Sequence, residues 1–193
     1  MIFGDKILTP RLRMRRLVER DLPLLVAWSN SDIAHGEYLT PDRIDDRNGR
    51  ENIASGTYWH ERNRIFLIEL KDQQPIGTLR YWLRPERGNC AMMAVKIADP
   101  QQRNKGYGTE AQKYLIIQLF QRLRVESVEM YTDINNRPQL RCLAKLGFEL
   151  VETLSYDDHL VKRVGHLFRI DAFKFANNPV FRYHYEEEGG AGR

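Results

Sequence analysis

The segment Asp99-Pro100-Gln101-Gln102-Arg103-Asn104-Lys105-Gly106-Tyr107-Gly108-Thr109-Glu110-Ala111 constrains this chain more than any other. It separates a strand-forming run, Cys90 to Ile97, from a helical one, Thr109 to Leu123. In the helical run Ala111, Leu115, Leu119 and Leu123 recur every four residues. Two glycines at the turn let the backbone approach a bulky anion. The first amides of the following helix point at that anion, and the helix dipole favours its charge. Arg103 and Lys105 add positive side chains at the same mouth. The physical reading is a diphosphate cradle.

Two other readings of these glycines are weaker. They could simply turn the chain, but the flanking strand and helix fit anion binding. Gly106-x-Gly108-x-x-Ala111 also matches a relaxed dinucleotide fingerprint, which would imply a nicotinamide enzyme. That fingerprint needs the strand to run straight into its first glycine, whereas here the polar run Asp99 to Lys105 intervenes. No Gly-Lys-Ser/Thr triplet exists, which removes the Walker loop.

The rest of the chain supplies a mixed set of elements. Leu12 to Leu17 partly alternates as a half-exposed strand does. Leu22 to Trp28 is helical, with Asp21 as N-cap and Pro23 in its first turn. Residues 30 to 60 are irregular and charged, a helix or a long loop. Ile65 to Leu70 and Ile76 to Leu83 form a hairpin, and Cys90 to Ile97 a third strand stopped by Asp99-Pro100. Val128 to Asp133 is a strand, and Leu140 to Leu146 a short helix ended by Gly147. Phe148 to Ser155 and Val164 to Phe173 are two more strands. This order predicts an α/β (α+β) layer whose sheet is mixed and mostly antiparallel, with one parallel crossover.

At 193 residues the chain suits one domain, expected over residues 1–176. Residues 177–193 read as a C-terminal extension, partly disordered because its end is polar and glycine-rich. The count of 30 Lys+Arg against 26 Asp+Glu gives a net charge of +4, which suits small anions and argues little for nucleic acid. Arg11, Arg13, Arg15 and Arg16 read as an exposed strand face. Tyr58, Trp59, Tyr81 and Trp82 read as core more than as pocket. Cys90 and Cys142 make no disulfide framework, and no leader or apolar span of membrane length is seen. The expected location is therefore cytoplasmic. His35, His60, His159, His166 and His184 form no metal-ligand spacing, so no metal is expected.

Arg103-x-x-Gly106-x-Gly108 resembles motif A of the GNAT acetyltransferases, whose pattern is Gln or Arg-x-x-Gly-x-Gly or Ala. Asn135-Asn136 followed by Leu140 to Phe148, ending in Lys-Leu-Gly-Phe, resembles the second landmark of that family. Leu8-Thr9-Pro10-Arg11-Leu12-Arg13-Met14-Arg15 resembles the opening strand of the branch that contains the ribosomal-protein alanine acetyltransferases. The resemblance spans residues 8 to 175.

It implies the GNAT acyl-CoA N-acyltransferase fold with a strand splay, acetyl-CoA as co-substrate, and acetyl transfer to a primary amine. The implied acceptor is a protein N-terminus or a small amine such as an aminoglycoside or polyamine; a homodimer is allowed. By the same resemblance the pyrophosphate sits on the backbone of Arg103, Asn104, Lys105, Gly106, Tyr107, Gly108 and Thr109. The pantetheine arm pairs with Val95, Lys96 and Ile97 and bonds Asn136, while Arg141, or Lys145 where it does not simply face water, reaches a phosphate. A backbone amide near Val95 would hold the oxyanion. The chain departs from the family where a base or acid usually stands: Met92, Gln139 and Leu143 occupy those places. Asp133 and Glu37, the latter beside Tyr38, are the remaining candidates for proton transfer. Water-relayed deprotonation is the alternative, and so is a non-catalytic acyl-CoA sensor.

Overall fold

A computed structural model describes residues 4–182 of the chain. The elements run β1 (Lys6–Leu8), β2 (Leu12–Arg16), α1 (Leu22–Ser29), α2 (Asp32–His35), α3 (Asp46–Ala54), β3 (Trp59–His60), β4 (Asn63–Leu70) and β5 (Pro75–Arg84). Then come β6 (Cys90–Ile97), α4 (Tyr107–Gln121), β7 (Ser127–Asp133), α5 (Arg137–Lys145), β8 (Glu149–Asp158), β9 (Val161–Asp171) and α6 (Ala172–Asn177). One sheet contains all nine strands in the order β1-β2-β4-β5-β6-β7-β9-β8, with β3 beside β4. Among the described residues β6–β7 is the single parallel pair, joined through α4 as a parallel crossover requires.

That parallel pair is short. Cys90, Ala91 and Met92 pair with Ser127, Val128 and Glu129, and the register ends there. Beyond it β6 stays with β5 through Ile97, and β7 stays with β9 through Asp133. The two strands splay, so the edge of β6 facing β7 is open from Met93 onward.

The pattern of the strands explains the layers. One sheet face buries Leu12, Met14, Phe66, Ile68, Leu79, Tyr81, Ala91 and Met93 with Leu115, Ile116 and Leu119 of α4 and Leu143 of α5. The other face is covered at one end by α1, where Leu17, Leu25 and Leu67 meet. On the same face, where β6 and β7 are still paired, the strand residues Cys90, Met92 and Leu167 form a small cluster of their own. Tyr81 lies in the first core, and Tyr58, Trp59 and Trp82 pack against these clusters, as expected.

Several expectations are corrected. Asp21 does not cap α1: its carboxylate accepts Arg15 Nη1 at 2.7 Å and Nη2 at 2.8 Å, and the Val18 amide at 2.9 Å. Arg15 also bonds Glu69 at 2.9 Å, and Glu69 takes Arg13 at 2.7 Å. Arg13 and Arg15 thus belong to a buried ion network rather than to an exposed face, because desolvated charges must be paired. Residues 30 to 60 hold two short helices, α2 capped by Ser31 and α3 capped by Asp45, with a strap of residues 36–45 between them. β9 stops at Asp171, whose carboxylate takes the Lys174 amide at 2.7 Å and starts α6, so Ala172 and Phe173 are helical. Residues 177–182, expected in the extension, return to the domain: Phe181 is 4% exposed and packs on Phe175, which stacks on Phe120. The polar tail from Glu186 lies outside the described residues.

Candidate active site

The cradle is a mid-chain turn braced from the N-terminal segment. Ile97 ends β6, Asp99 caps a 3-10 turn at Pro100–Gln102 by accepting the Gln101 amide, and Asn104 and Gly106 take positive φ of 61° and 83°. Asn is the side chain that tolerates this conformation best, and Gly has no penalty in it. α4 then begins at Tyr107. Its first bond back to the loop is Glu110 N–H to Gly106 O at 3.0 Å, so the amides of Tyr107, Gly108 and Thr109 project from the helix end. They project into a cavity of about 520 Å³.

A brace from the N-terminal turn holds this corner. Glu110 accepts Thr9 Oγ1 at 2.6 Å, the Arg11 amide at 2.9 Å and Arg11 Nε at 2.6 Å. Arg11 Nη1 donates to the Lys105 carbonyl at 2.9 Å, and its guanidinium lies over the Tyr107 ring at 4.6 Å. The Glu110 carboxylate in the first turn also complements the helix dipole. These contacts have no trace in sequence periodicity.

The cavity runs from this corner past the open edge of β6 to the strap. Val95, Lys96, Ile97, Arg103, Asn104, Gly106, Tyr107, Gly108, Thr109, Asn136 and Arg141, all expected to touch the coenzyme, line it. Among the expected coenzyme contacts Lys105 is missing from that lining; its ammonium bonds Gln102 Oε1 at 3.0 Å. Arg103 behaves differently from a phosphate ligand. Its Nε donates to the Ile97 carbonyl at 2.9 Å and its Nη2 to the carbonyls of Ile33 at 2.5 Å and Ala34 at 3.1 Å. Its positive charge is turned onto the last turn of α2, which locks the coenzyme loop to the strap. Asn136 Oδ1 accepts the Gln139 amide at 3.2 Å as the cap of α5, leaving its Nδ2 for a ligand.

A family profile described as "Acetyltransferase (GNAT) domain" matches residues 11–149, well over half of the chain. The chain belongs to the GNAT acetyltransferases. It is an acetyl-CoA-dependent N-acetyltransferase, as the three landmarks imply. No curated protein matches the sequence. Among solved structures, RimJ of Mycobacterium smegmatis in complex with CoA-disulfide is 20% identical, with a TM-score of 0.71, over 89% of this chain and 87% of that one. The aminoglycoside acetyltransferase AAC(6')-Ib with coenzyme A and kanamycin is 20% identical, with a TM-score of 0.69, over 86% and 97%. A spermidine N-acetyltransferase chimera from Vibrio cholerae and a second source gives 16% and 0.72 over 86% and 98%. At such identities these likenesses speak for the fold, and the splayed sheet above is the GNAT fold.

In GNAT terms the departures are structural. Met92 and Leu143 are fully buried, in two different core clusters. Gln139 exchanges hydrogen bonds with Gln112 at 2.7 and 3.3 Å. Beside Met92 on β7 stands Glu129, a carboxylate that sequence inspection missed. It is fully buried, bonded by Arg169 Nε at 2.7 Å and 3.3 Å from Arg87 Nε, so it is an ion-paired core group. Cys142 is buried beside Gln112, and desolvation pushes its thiol up, which suits a core residue and not a nucleophile.

The two expected proton carriers occupy different places. Glu37 lines the cavity on the strap. Asp133 ends β7 outside that lining; its carboxylate accepts the Asn135 amide at 2.9 Å and lies 3.6 Å from Arg163. Tyr38 lines the cavity beside Glu37, and desolvation together with Glu37 and Asp133 raises its phenol. His35 also lines the cavity, and no spacing motif could have flagged it.

Proposed function

We propose that the chain acetylates a primary amine that enters from the strap side of the splay, the acceptor being a peptide N-terminus or a small polycation. The cavity supports this reading because it joins the α4 N-terminus to the strap without a break, so coenzyme and acceptor can share it. The strap is fastened to the β8–β9 tip by the Thr40 amide on Asp158 at 3.0 Å and by Arg163 Nη2 on Thr40 Oγ1 at 3.0 Å. On the strap Glu37 lines the cavity, a carboxylate that favours an arriving ammonium.

The chain's own parts then have clear tasks. The amides after Arg103 hold the diphosphate, and the open edge of β6 at Val95 to Ile97 aligns the pantetheine arm. A β6 amide near Val95 donates to the oxygen that gains charge as nitrogen attacks the thioester. Holding the two reactants at the splay supplies much of the acceleration.

The test is thiol release from acetyl-CoA in the presence of kanamycin, spermidine or a short peptide with a free N-terminus. Turnover with one of these classes well above the coenzyme-alone rate is expected. Coenzyme binding with no thiol release for any class would overturn the proposal.

A further inference from the structure

The chain lacks a carboxylate or hydroxyl where its family usually keeps a base or acid, yet an ammonium acceptor must lose a proton before it can attack. Four polar side chains run from the cavity to solvent. Lys96 on β6 and His35 at the end of α2 both line the cavity. Lys96 Nζ lies 3.2 Å from His35 Nε2. His35 Nδ1 lies 3.0 Å from the Ser31 carbonyl, which can only accept, so Nδ1 carries the hydrogen and Nε2 presents its lone pair to Lys96. His35 Nε2 is 3.7 Å from Asp42 Oδ1, and His159 Nε2 is 2.8 Å from the same oxygen. Side-chain exposure rises along the series, 3% at His35, 34% at Asp42 and 52% at His159, so the chain of groups leads outward.

We propose that Lys96 is the base of the acceptor site and that His35, Asp42 and His159 carry its proton to solvent. The inference rests on the acetyl-transfer reading above. The acceptor arrives as an ammonium and gives one proton to neutral Lys96 Nζ. His35 Nε2 takes it on, and it leaves past Asp42 through His159. The freed amine forms the C–N bond to the thioester carbonyl carbon, and the C–S bond breaks. The second proton shed by nitrogen ends on the coenzyme sulfur. One proton is released per turnover and the thiol is neutral, so charge balances.

The electrostatics agree. Burial pushes the Lys96 ammonium below the usual lysine range, with Asp42 pulling partly the other way. Burial raises Asp42, but the neighbouring His35, Lys96 and His159 more than offset it and hold its carboxyl below the usual range. Other charged or titratable groups around the cluster are Arg80 on β5, itself lowered by burial, Tyr58 before β3, Asp158 at 4.0 Å from His159, Arg163 bonded to Asp158, and Arg103 on the Ile33 and Ala34 carbonyls beside His35.

Two measurements on the full chain decide the matter. The first needs no acceptor: NMR titration of the Lys96 side chain with coenzyme A bound. Its midpoint is expected below that of exposed lysines, and lower still in Asp42→Asn. Titration as an ordinary lysine, unmoved by Asp42→Asn, would overturn the relay even if the protein turns over. The second is the pH profile of kcat/KM with the best amine of the panel. Lys96→Met and Lys96→Arg should each lose about 100-fold and move the limb that rises with pH up to the titration of the acceptor ammonium itself, since arginine keeps the charge but cannot deprotonate. His159→Gln should slow turnover and make it depend on buffer concentration. A rising limb that stays at its wild-type pH in Lys96→Arg contradicts the base assignment; absence of turnover in the wild type, with Lys96 titrating as expected, would count against the acceptor reading instead.

Discussion

Gly106 sits at φ +83°, and a Cβ there would come 3.2 Å from the Arg11 guanidinium. Gly106→Ala should cost about 1–2 kcal/mol from the left-handed conformation alone and weaken acetyl-CoA binding as the cradle shifts. Thermal unfolding and calorimetric titration read the two effects. Gly108 differs, since its Cβ would meet Ile97 at an ordinary 3.8 Å. Gly108→Ala should be tolerated, whereas Gly108→Trp should abolish acetyl-CoA binding while the fold survives. Gly106 is legible in the sequence because a left-handed turn into a helix leaves few other residue types there, and Gly108 because it completes the motif with it. The Thr9, Arg11 and Glu110 brace is not, since its partners lie up to 101 positions apart and neither periodicity nor spacing marks them. The same holds for Asp21. Its place before a helix suggests a cap, and Arg15 six residues away claims its oxygens. Burial raises that carboxyl, but the Arg15 and Val18 hydrogen bonds outweigh it and hold the pKa below its ordinary value. A lowered carboxylate stabilises the fold above its unfolded pKa, and this contribution fades as pH falls through the folded one. Asp21→Asn should therefore lose about 3–5 kcal/mol at neutral pH and show a shallower loss of stability in acid, measured by denaturant unfolding across pH.

At the scale of elements, the strands announce themselves by apolar runs and the turns by Pro, Gly and Asn. β4 to β7 fall where these signals place them, within a few residues. α2 and α3 escape such signals, because they are short and polar, start on Ser31 and Asp45 side-chain caps, and bury few residues. The splay is implied in the sequence only by family resemblance, and its physical cause is the ending of the β6–β7 register at Met92 and Glu129. Gly77 shows how tightly β5 supports the open strand: a Cβ there would stand 2.0 Å from the Lys96 carbonyl oxygen. Gly77→Ala should push β5 from β6, cost about 1–3 kcal/mol or more, and raise the KM for acetyl-CoA by moving the edge that receives the pantetheine arm. Unchanged KM and stability would mean that the strand pair absorbs the methyl group.

Over the whole molecule, the fold places its two substrates with different clarity. The coenzyme half rests on a contiguous motif, so its position is legible from residue order alone. The acceptor half is assembled from the strap, β6 and the β8–β9 tip, which are distant in sequence and meet through Arg103, Asp42, Asp158 and Arg163. No local pattern reports such a convergence. Because the coenzyme binds only the folded chain, acetyl-CoA at a hundred times its dissociation constant should add about 2.7 kcal/mol. For a chain of this size that raises Tm by about 5–10 °C, and NAD should leave Tm unchanged.

The most direct measurement is a crystal structure of the chain with coenzyme A. The pyrophosphate oxygens should lie within hydrogen-bond distance of backbone amides between Arg103 and Thr109, with the pantetheine arm along Val95 to Ile97 in the splay. Coenzyme bound elsewhere, with the α4 N-terminus facing only solvent, would contradict the account.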